Sequence, residues 1–201
     1  MQGTPYIYEG EELGMTNAYF TELKDYRDIE SIQYFHEYTE AGIYTPEYMM
    51  KCLMLRGRDN ARTPMQWDDS TNAGFSSAPA SDLYITMDPG KDRPTAKAQM
   101  ADPDSLYHEV KKLIQIRQSS KALLSRGTIE FVYAEKNQYP LAYVREAEGE
   151  KVLVIINPSD KEQSFPYSAE LKDALYTIGG KAESKDGTIT IPAQSAGFYH
   201  I

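Results

Sequence analysis

Three textures of hydrophobic and polar positions follow one another along the chain. The first is TPYIYEG at residues 4–10, a β-branched and aromatic run closed by Gly10. Its apolar residues do not alternate with polar ones, so it reads as a strand buried on both faces, as in a parallel sheet. A parallel strand needs neighbours, and residues 1–3 are too few to supply one. The second texture is helical. In DYRDIESIQYFHEYTEA, residues 25–41, Tyr26, Ile29, Ile32 or Gln33, and Tyr34 to Phe35 fall near one helical stripe that ends at Gly42. Another helix is expected from Thr45, a capping residue followed by Pro46 in the first turn, through MMKCLMLR to Gly57. Cys52, inside CLML, reads as core. Residues 57–102 then form a long Pro-, Gly- and Asp-rich segment with few periodic patches, its Trp67, Phe75, Leu83, Tyr84 and Ile85 arguing for an ordered, functional loop. Asp102-Pro103-Asp104-Ser105 opens a last helix, in which Leu106, Val110, Leu113, Ile114 and Ile116 recur at helical spacing to about residue 119.

After Gly127 the period changes. TIEFVYA, YPLAYVRE, EKVLVIIN, EQSFPY, ALYTIG, GTITIP and GFYHI are short β-rich runs separated by turn residues, the pattern of an antiparallel sandwich. The expected organisation is therefore α+β: a mixed, partly irregular region over residues 1–122 and an all-β domain of about seven strands over residues 123–201.

Composition narrows the function classes more than it selects one. Hydrophobic residues make up 41% and charged residues 25%, a globular balance. The net charge of −9 repels phosphate backbones and anionic lipid, which argues against nucleic-acid and membrane-surface partners. Sixteen tyrosines suit either a carbohydrate-facing surface or ordinary amphipathic packing. One cysteine cannot form an internal disulfide, and His36, His108 and His200 have no metal-ligand spacing, so no cofactor is expected. The first residues lack the basic and apolar regions of a signal peptide, and no apolar run approaches the ~20 residues of a membrane helix. A cytoplasmic location is the expectation.

Two stretches could carry chemistry. YEGEE places Glu9, Glu11 and Glu12 within four residues. Glycoside hydrolysis uses opposed carboxyls about 5–5.5 Å apart for retention or about 6.5–9.5 Å for inversion. Neighbouring strand residues point to opposite faces, so Glu11 and Glu12 make a poor pair and read instead as carboxylates fixing the loop. GRDNARTPMQWDD, residues 57–69, holds Arg58, Arg62, Asp59, Asp68, Asp69 and the lone Trp67. Its guanidinium forks could grip carboxylates or sugar hydroxyls, and Trp67 could stack on a sugar or fill a core. Composition leaves a salt-bridged loop and a binding site equally open. No Ser/His/Asp order and no phosphate loop is present.

The order GTPYIYEGEELGMTN, YRDIES, GRDNARTPMQWDDSTNAGFS and SLYHEVKKLIQIR resembles the C-terminal part of glycoside hydrolase family 13, above all its oligo-1,6-glucosidase and α-glucosidase branch, with the related sucrose isomerases and trehalose-phosphate hydrolases. The likeness covers the chain and is strongest over residues 3–76. It implies the last strand and helices of an incomplete (β/α)8 barrel, followed by an antiparallel β-sandwich domain. TPYIYEGEE would be the eighth strand, leaving toward the face where barrel enzymes keep their sites. Residues 13–102 would be the excursion before the last barrel helix, and 103–119 that helix.

The resemblance also implies where the chemistry lies. The family's aspartate nucleophile, glutamate acid/base and second aspartate follow earlier strands, the last in an Asn-His-Asp motif that residues 1–201 do not contain. No catalytic residue is therefore expected here, and the chain alone is expected to be inactive. Two substrate-binding positions match: Arg58, the arginine at the −1 subsite, and Glu30 of YRDIE, the glutamate lining the +1 subsite. Arg62 is expected to be structural and Trp67 buried. The implied partners are α-linked glucose oligosaccharides in the complete enzyme and the missing barrel portion. The alternative is a stand-alone carbohydrate-binding or self-associating module, pairing through the exposed strand. Glu9 stands where the family commonly has Gln, and APASDLYITMDPGKDRPTAKAQ replaces a shorter family loop near the acceptor side, which leaves linkage specificity open.

Overall fold

The computed structural model describes residues 1–87 and 93–201, and these divide into a unit of Ile7–Val110 and a unit of Met1–Tyr6 with Lys111–Ile201. In the first unit, two capped helices make the frame. Helix α1, Ile29–Glu40, starts at Asp28, whose carboxylate accepts the Ser31 N–H at 3.0 Å and the Ser31 hydroxyl at 2.7 Å. Helix α2, Pro46–Arg56, starts at Thr45, whose hydroxyl accepts the Tyr48 N–H at 3.2 Å, and Pro46 sits where a missing N–H costs nothing. Met49 and Leu53, one turn apart, are the buried residues of α2, while Cys52 is only half-buried. On α1 it is Ile32 and Phe35 that turn inward, toward Ala18, Phe20, Tyr26, Leu53 and Ile85, whereas Ile29 is 69% exposed. A stripe read from sequence could not separate these, because at the first turn a helix has no neighbour above it.

Helix α2 stops at Gly57, where the chain turns extended and close packing leaves no room for a side chain. A Cβ there would lie 2.7 Å from the Leu53 carbonyl oxygen and 3.2 Å from the Tyr26 ring. Beyond it the long segment is ordered by short 3₁₀ turns, and by one helix that the sequence reading did not anticipate, α3, Ala96–Ala101, capped by Thr95. The segment expected near the acceptor side falls partly outside the described residues, at 88–92. Residues 4–8, expected as a strand, carry no β-ladder; Tyr6 is 93%, Ile7 47% and Tyr8 51% exposed. Their pattern is that of a strand, but a strand exists only through its pairing.

The second unit contains the later turns of α4, Leu106–Ser119, and eight strands: β1 Thr128–Tyr133, β2 Leu141–Ala147, β3 Glu150–Asn157, β4 Gln163–Pro166, β5 Ala174–Ile178, β6 Glu183–Lys185, β7 Thr188–Ile191 and β8 Ser195–His200. They form a five-stranded sheet, β1-β2-β3-β8-β5, and a three-stranded sheet, β4-β7-β6, antiparallel throughout. Between the sheets Ala142, Val144, Leu153, Ile155 and Tyr199 meet Phe165, Ile189 and Ile191. On the other face of the larger sheet Tyr143, Val152 and Val154 pack against Ala122, Leu123 and Ile116. Covering on both faces explains why VLVII reads as an unbroken apolar run. Seven of the strands match the seven β-rich runs. The eighth, β6, is the polar tripeptide ESK, fully exposed, and its only signature is pairing to β7.

Arg145 of β2 is fully buried and bonded to backbone alone: Nε donates to Thr128 O at 2.8 Å, Nη1 to Met1 O at 2.7 Å, and Nη2 to Leu124 O at 2.7 Å and Gly127 O at 3.0 Å. It ties the approach to the sandwich onto the sheet. Replacing Arg145→Met keeps the apolar stem but leaves these carbonyls without donors. It is expected to destabilise the β unit by about 3 kcal/mol, read as a fall in the urea midpoint of its circular dichroism; a change within about 0.5 kcal/mol would show that the clasp contributes nothing.

Candidate functional site

The turn after α2, Arg58–Ala61, is built on two side chains that face inward. Asp59 is fully buried, and its Oδ2 accepts the backbone N–H of Arg27 at 2.6 Å and of Asp28 at 2.8 Å. Asn60 accepts the Ala18 N–H at 3.1 Å and donates to the carbonyls of Leu53, Met54 and Gly57 at 3.1–3.3 Å, satisfying the open end of α2. Arg62 spans the two aspartates, its Nη1 lying 3.1 Å from Asp59 Oδ1 and 3.3 Å from Asp28 Oδ1. One alternating charge set, Asp28, Arg62 and Asp59, thus locks the start of α1 to the end of α2.

Arg58 stands outside that lock. Its Nη2 pairs with Glu30 Oε2, and its Nη1 lies 3.8 Å from Asp28 Oδ1; the side chain is 61% exposed and that of Glu30 44%. The second Glu30 oxygen accepts the Tyr34 hydroxyl at 3.2 Å. The two residues expected to touch substrate are therefore brought together, 28 positions apart in sequence, by Asp28 and Asp59. Asp28 itself is held below the usual aspartate value, first by the Ser31 hydroxyl and then by the Ser31 N–H, Arg58 and Arg62, against the opposing effect of burial.

Two clefts meet at this point, and Arg56, Gly57 and Arg58 line both. One, of about 480 Å³, runs past Tyr8, Glu9, Asn17 and Asn60. The other, of about 460 Å³, has Asp28, Glu30 and Arg58 among its lining residues and continues along tyrosines of α1 and α2. Of the YEGEE carboxylates, Glu11 accepts the Tyr8 N–H at 3.1 Å and Glu12 the Gly10 N–H at 2.9 Å, so two of the three fix their own turn. Tyr8 reaches the RDNA turn, its hydroxyl donating to Ala61 O at 2.6 Å.

Trp67 corrects an expectation: it is 51% exposed, not buried. Its backbone does the structural work there, the N–H donating to Ala73 O at 2.8 Å and the carbonyl accepting the Lys97 N–H at 2.9 Å. Asp28 was not among the residues singled out from sequence, although an Asp three residues before a Ser at the head of an apolar periodicity is an N-cap signal. Among the described residues no group of three or more His, Cys, Asp or Glu is placed to hold a metal ion.

An incomplete set of barrel elements, an excursion bearing an arginine–glutamate pair on a cleft, and an antiparallel sandwich define a piece of a glycoside-hydrolase architecture. The chain belongs to the alpha-amylase family, glycoside hydrolase family 13: the alpha-amylase catalytic domain matches residues 1–127, and the alpha-amylase SusG C-terminal domain matches residues 141–196. It is 44% identical over 165 residues to an oligo-1,6-glucosidase of Parageobacillus thermoglucosidasius, covering 82% of this chain and 28% of that one. It is 46% identical over 140 residues to an alpha-glucosidase of Pediococcus pentosaceus, covering 69% of this chain and 24% of the relative. The trehalulose synthase MutB from Pseudomonas mesoacidophila MX-45 superposes with a TM-score of 0.86 at 34% identity, over 99% of this chain and 36% of that one. The chain thus spans about a quarter to a third of these relatives.

The Asp28 shift makes a pH prediction. Its folded value lies below the unfolded one, so its charge contributes stability above the ordinary 3.8, and that contribution is lost as pH falls through the lower folded value. Asp28→Asn, which can still cap α1, is expected to lower the urea midpoint of Trp67 fluorescence at pH 7. The gap to the parent chain should narrow as the pH falls below 3.8 and through the lower folded value. A gap independent of pH would show that charge at Asp28 is not what matters.

Proposed function

We propose that the chain is the C-terminal portion of a retaining α-glucosidase acting on α-linked glucose oligosaccharides, in which Arg58 and Glu30 hold neighbouring glucose units. The observation that supports it is the Arg58–Glu30 pair at the wall of the second cleft, with Arg58 also lining the first, in a chain of this family. In the complete enzyme an aspartate attacks the anomeric carbon and a glutamate protonates the leaving oxygen, then activates water to release the glucosyl group. Those carboxylates lie on residues other than 1–201, where no Asn-His-Asp occurs. Arg58 supplies a fixed positive charge and up to five N–H donors to sugar hydroxyls, and Glu30 accepts from the hydroxyls of the next unit. Residues 1–122 belong to the barrel and residues 123–201 form the sandwich domain that follows it. A cytoplasmic setting is part of this reading. Among the described residues no helix is long and apolar enough to cross a membrane.

The chain alone is expected to release no p-nitrophenol from p-nitrophenyl α-glucoside above background. Substituted for the matching segment of the Parageobacillus oligo-1,6-glucosidase, it is expected to give an active hybrid in which Arg58→Ala lowers kcat/KM about 100-fold. Turnover by the isolated, repurified chain, or an Arg58→Ala hybrid of undiminished activity, overturns the proposal.

A second reading, self-association, rests on the exposed Tyr6, Ile7 and Tyr8. Sedimentation should then show concentration-dependent dimers that Ile7→Lys abolishes; a monomer throughout excludes it.

A further inference from the structure

The second cleft does not end at Glu30 and Arg58. Tyr34 and Tyr38 follow Glu30 on successive turns of α1, Tyr44 lies in the turn between helices, and Tyr48 begins α2, all four lining the same cleft. Their ring centroids step from one to the next by 6.0, 5.6 and 4.8 Å, with planes tilted by 48°, 51° and 31°. The row starts at the site already described, since Tyr34 donates its hydroxyl to Glu30. These rings are not packed inward: they are 45%, 37%, 45% and 51% exposed, while the core is filled from the other faces of the same helices by Ile32, Phe35, Leu53 and Met50.

We propose that this tyrosine row is a distal saccharide subsite, receiving the neutral pyranose units of an α-linked gluco-oligosaccharide beyond the unit held by Glu30. The inference rests on the reading of Glu30 and Arg58 as sugar contacts, and names what extends past them. A pyranose ring has an apolar C–H face and a polar rim. A half-exposed tyrosine offers the complement, an apolar face that holds its shape at little entropic cost and a hydroxyl that both donates and accepts. Charge selects a neutral occupant, because the two carboxylates lining the cleft, Asp28 and Glu30, are balanced by two guanidinium groups, Arg56 and Arg58. Three ring-to-ring steps outreach one sugar ring, so the row fits two or more units. Its volume, about 460 Å³, is that of a small-molecule site.

The test titrates the full chain, its tyrosines ring-labelled with ¹³C, with glucose, isomaltose and isomaltotriose. Isomaltotriose is expected to shift the Tyr44 and Tyr48 ring signals and to bind about tenfold more tightly than glucose. Tyr44→Ala with Tyr48→Ala should bring isomaltotriose down to the affinity of glucose, whereas Tyr44→Phe with Tyr48→Phe should keep most of the gain. Circular dichroism checks that all variants are folded. Equal affinity for glucose and isomaltotriose in the parent chain, or an undiminished gain in the alanine pair, overturns the proposal. Arg58→Ala separates the two readings. If it leaves glucose affinity intact while the alanine pair removes the gain, the Arg58 contact fails and the row stands. If it abolishes glucose binding while the alanine pair changes nothing, the row fails and the Arg58 contact stands.

Discussion

The buried carboxylate of Asp59 is the constraint on which the site depends. It has no exposure and gathers two backbone N–H groups from the entry to α1 and one guanidinium from Arg62. A carboxylate taken out of water at this cost is tolerated only when its lone pairs are filled, and filling them fixes where residues 27 and 28 lie. Asp28 in turn caps α1, which sets the direction in which Glu30 leaves the helix. Arg58 sits one position before Asp59, so the same carboxylate that seats the start of α1 also seats the backbone of Arg58. The separation of the Arg58 and Glu30 backbones is therefore determined by neither of them.

Much of this was readable along the chain, and what was not has identifiable physical reasons. Helix α2 announces itself through Thr45-Pro46, a local capping chemistry that owes nothing to tertiary contacts. The sandwich strands with apolar faces were legible for the same reason, since burial on one or both faces writes itself into residue type. Strand β6 buries nothing and so left no trace. TPYIY failed in the opposite direction: its composition is that of a strand, yet a ladder needs a partner, and composition cannot supply one. Trp67 misled because its size suggested core, while the position is held through its backbone. For the site, the resemblance supplied Arg58 and Glu30 as separate positions. Their meeting, and the part played by Asp28, depend on a contact between segments some thirty residues apart that no local pattern encodes.

The sandwich is held to its approach by different means. Arg145 binds four carbonyls, and Glu150 accepts from Ser120, Ala122 and His200. Both satisfy backbone or side-chain groups at 120–128, where the chain passes from helix to sheet and has no ladder or helix of its own to pair them. Burial alone would raise the Glu150 carboxyl, but the Ala122 N–H, the Ser120 hydroxyl and His200 together hold it below the usual glutamate range. The junction is thus fixed by charged groups reaching into irregular backbone, and an apolar residue of similar size could not replace either one.

The two arginines of GRDNARTPMQWDD show how one motif can hold both a locked residue and one paired at the surface. Arg62 faces a carboxylate that is wholly buried and another that is 8% exposed, so breaking its pairs would strand charge in a place water cannot reach. Arg58 pairs with Glu30 at the surface, both side chains well exposed, where an ion pair contributes little and is readily exchanged. Pulling Arg62 from its pairs would leave buried carboxylates unpaired, whereas a sugar hydroxyl can replace water or share donors at Arg58 without undoing the fold. The burial of the partner carboxylates, not residue type, decides which arginine is available. Asp59 and Asn60 fix the turn, and with it the backbone from which the Arg58 side chain reaches Glu30.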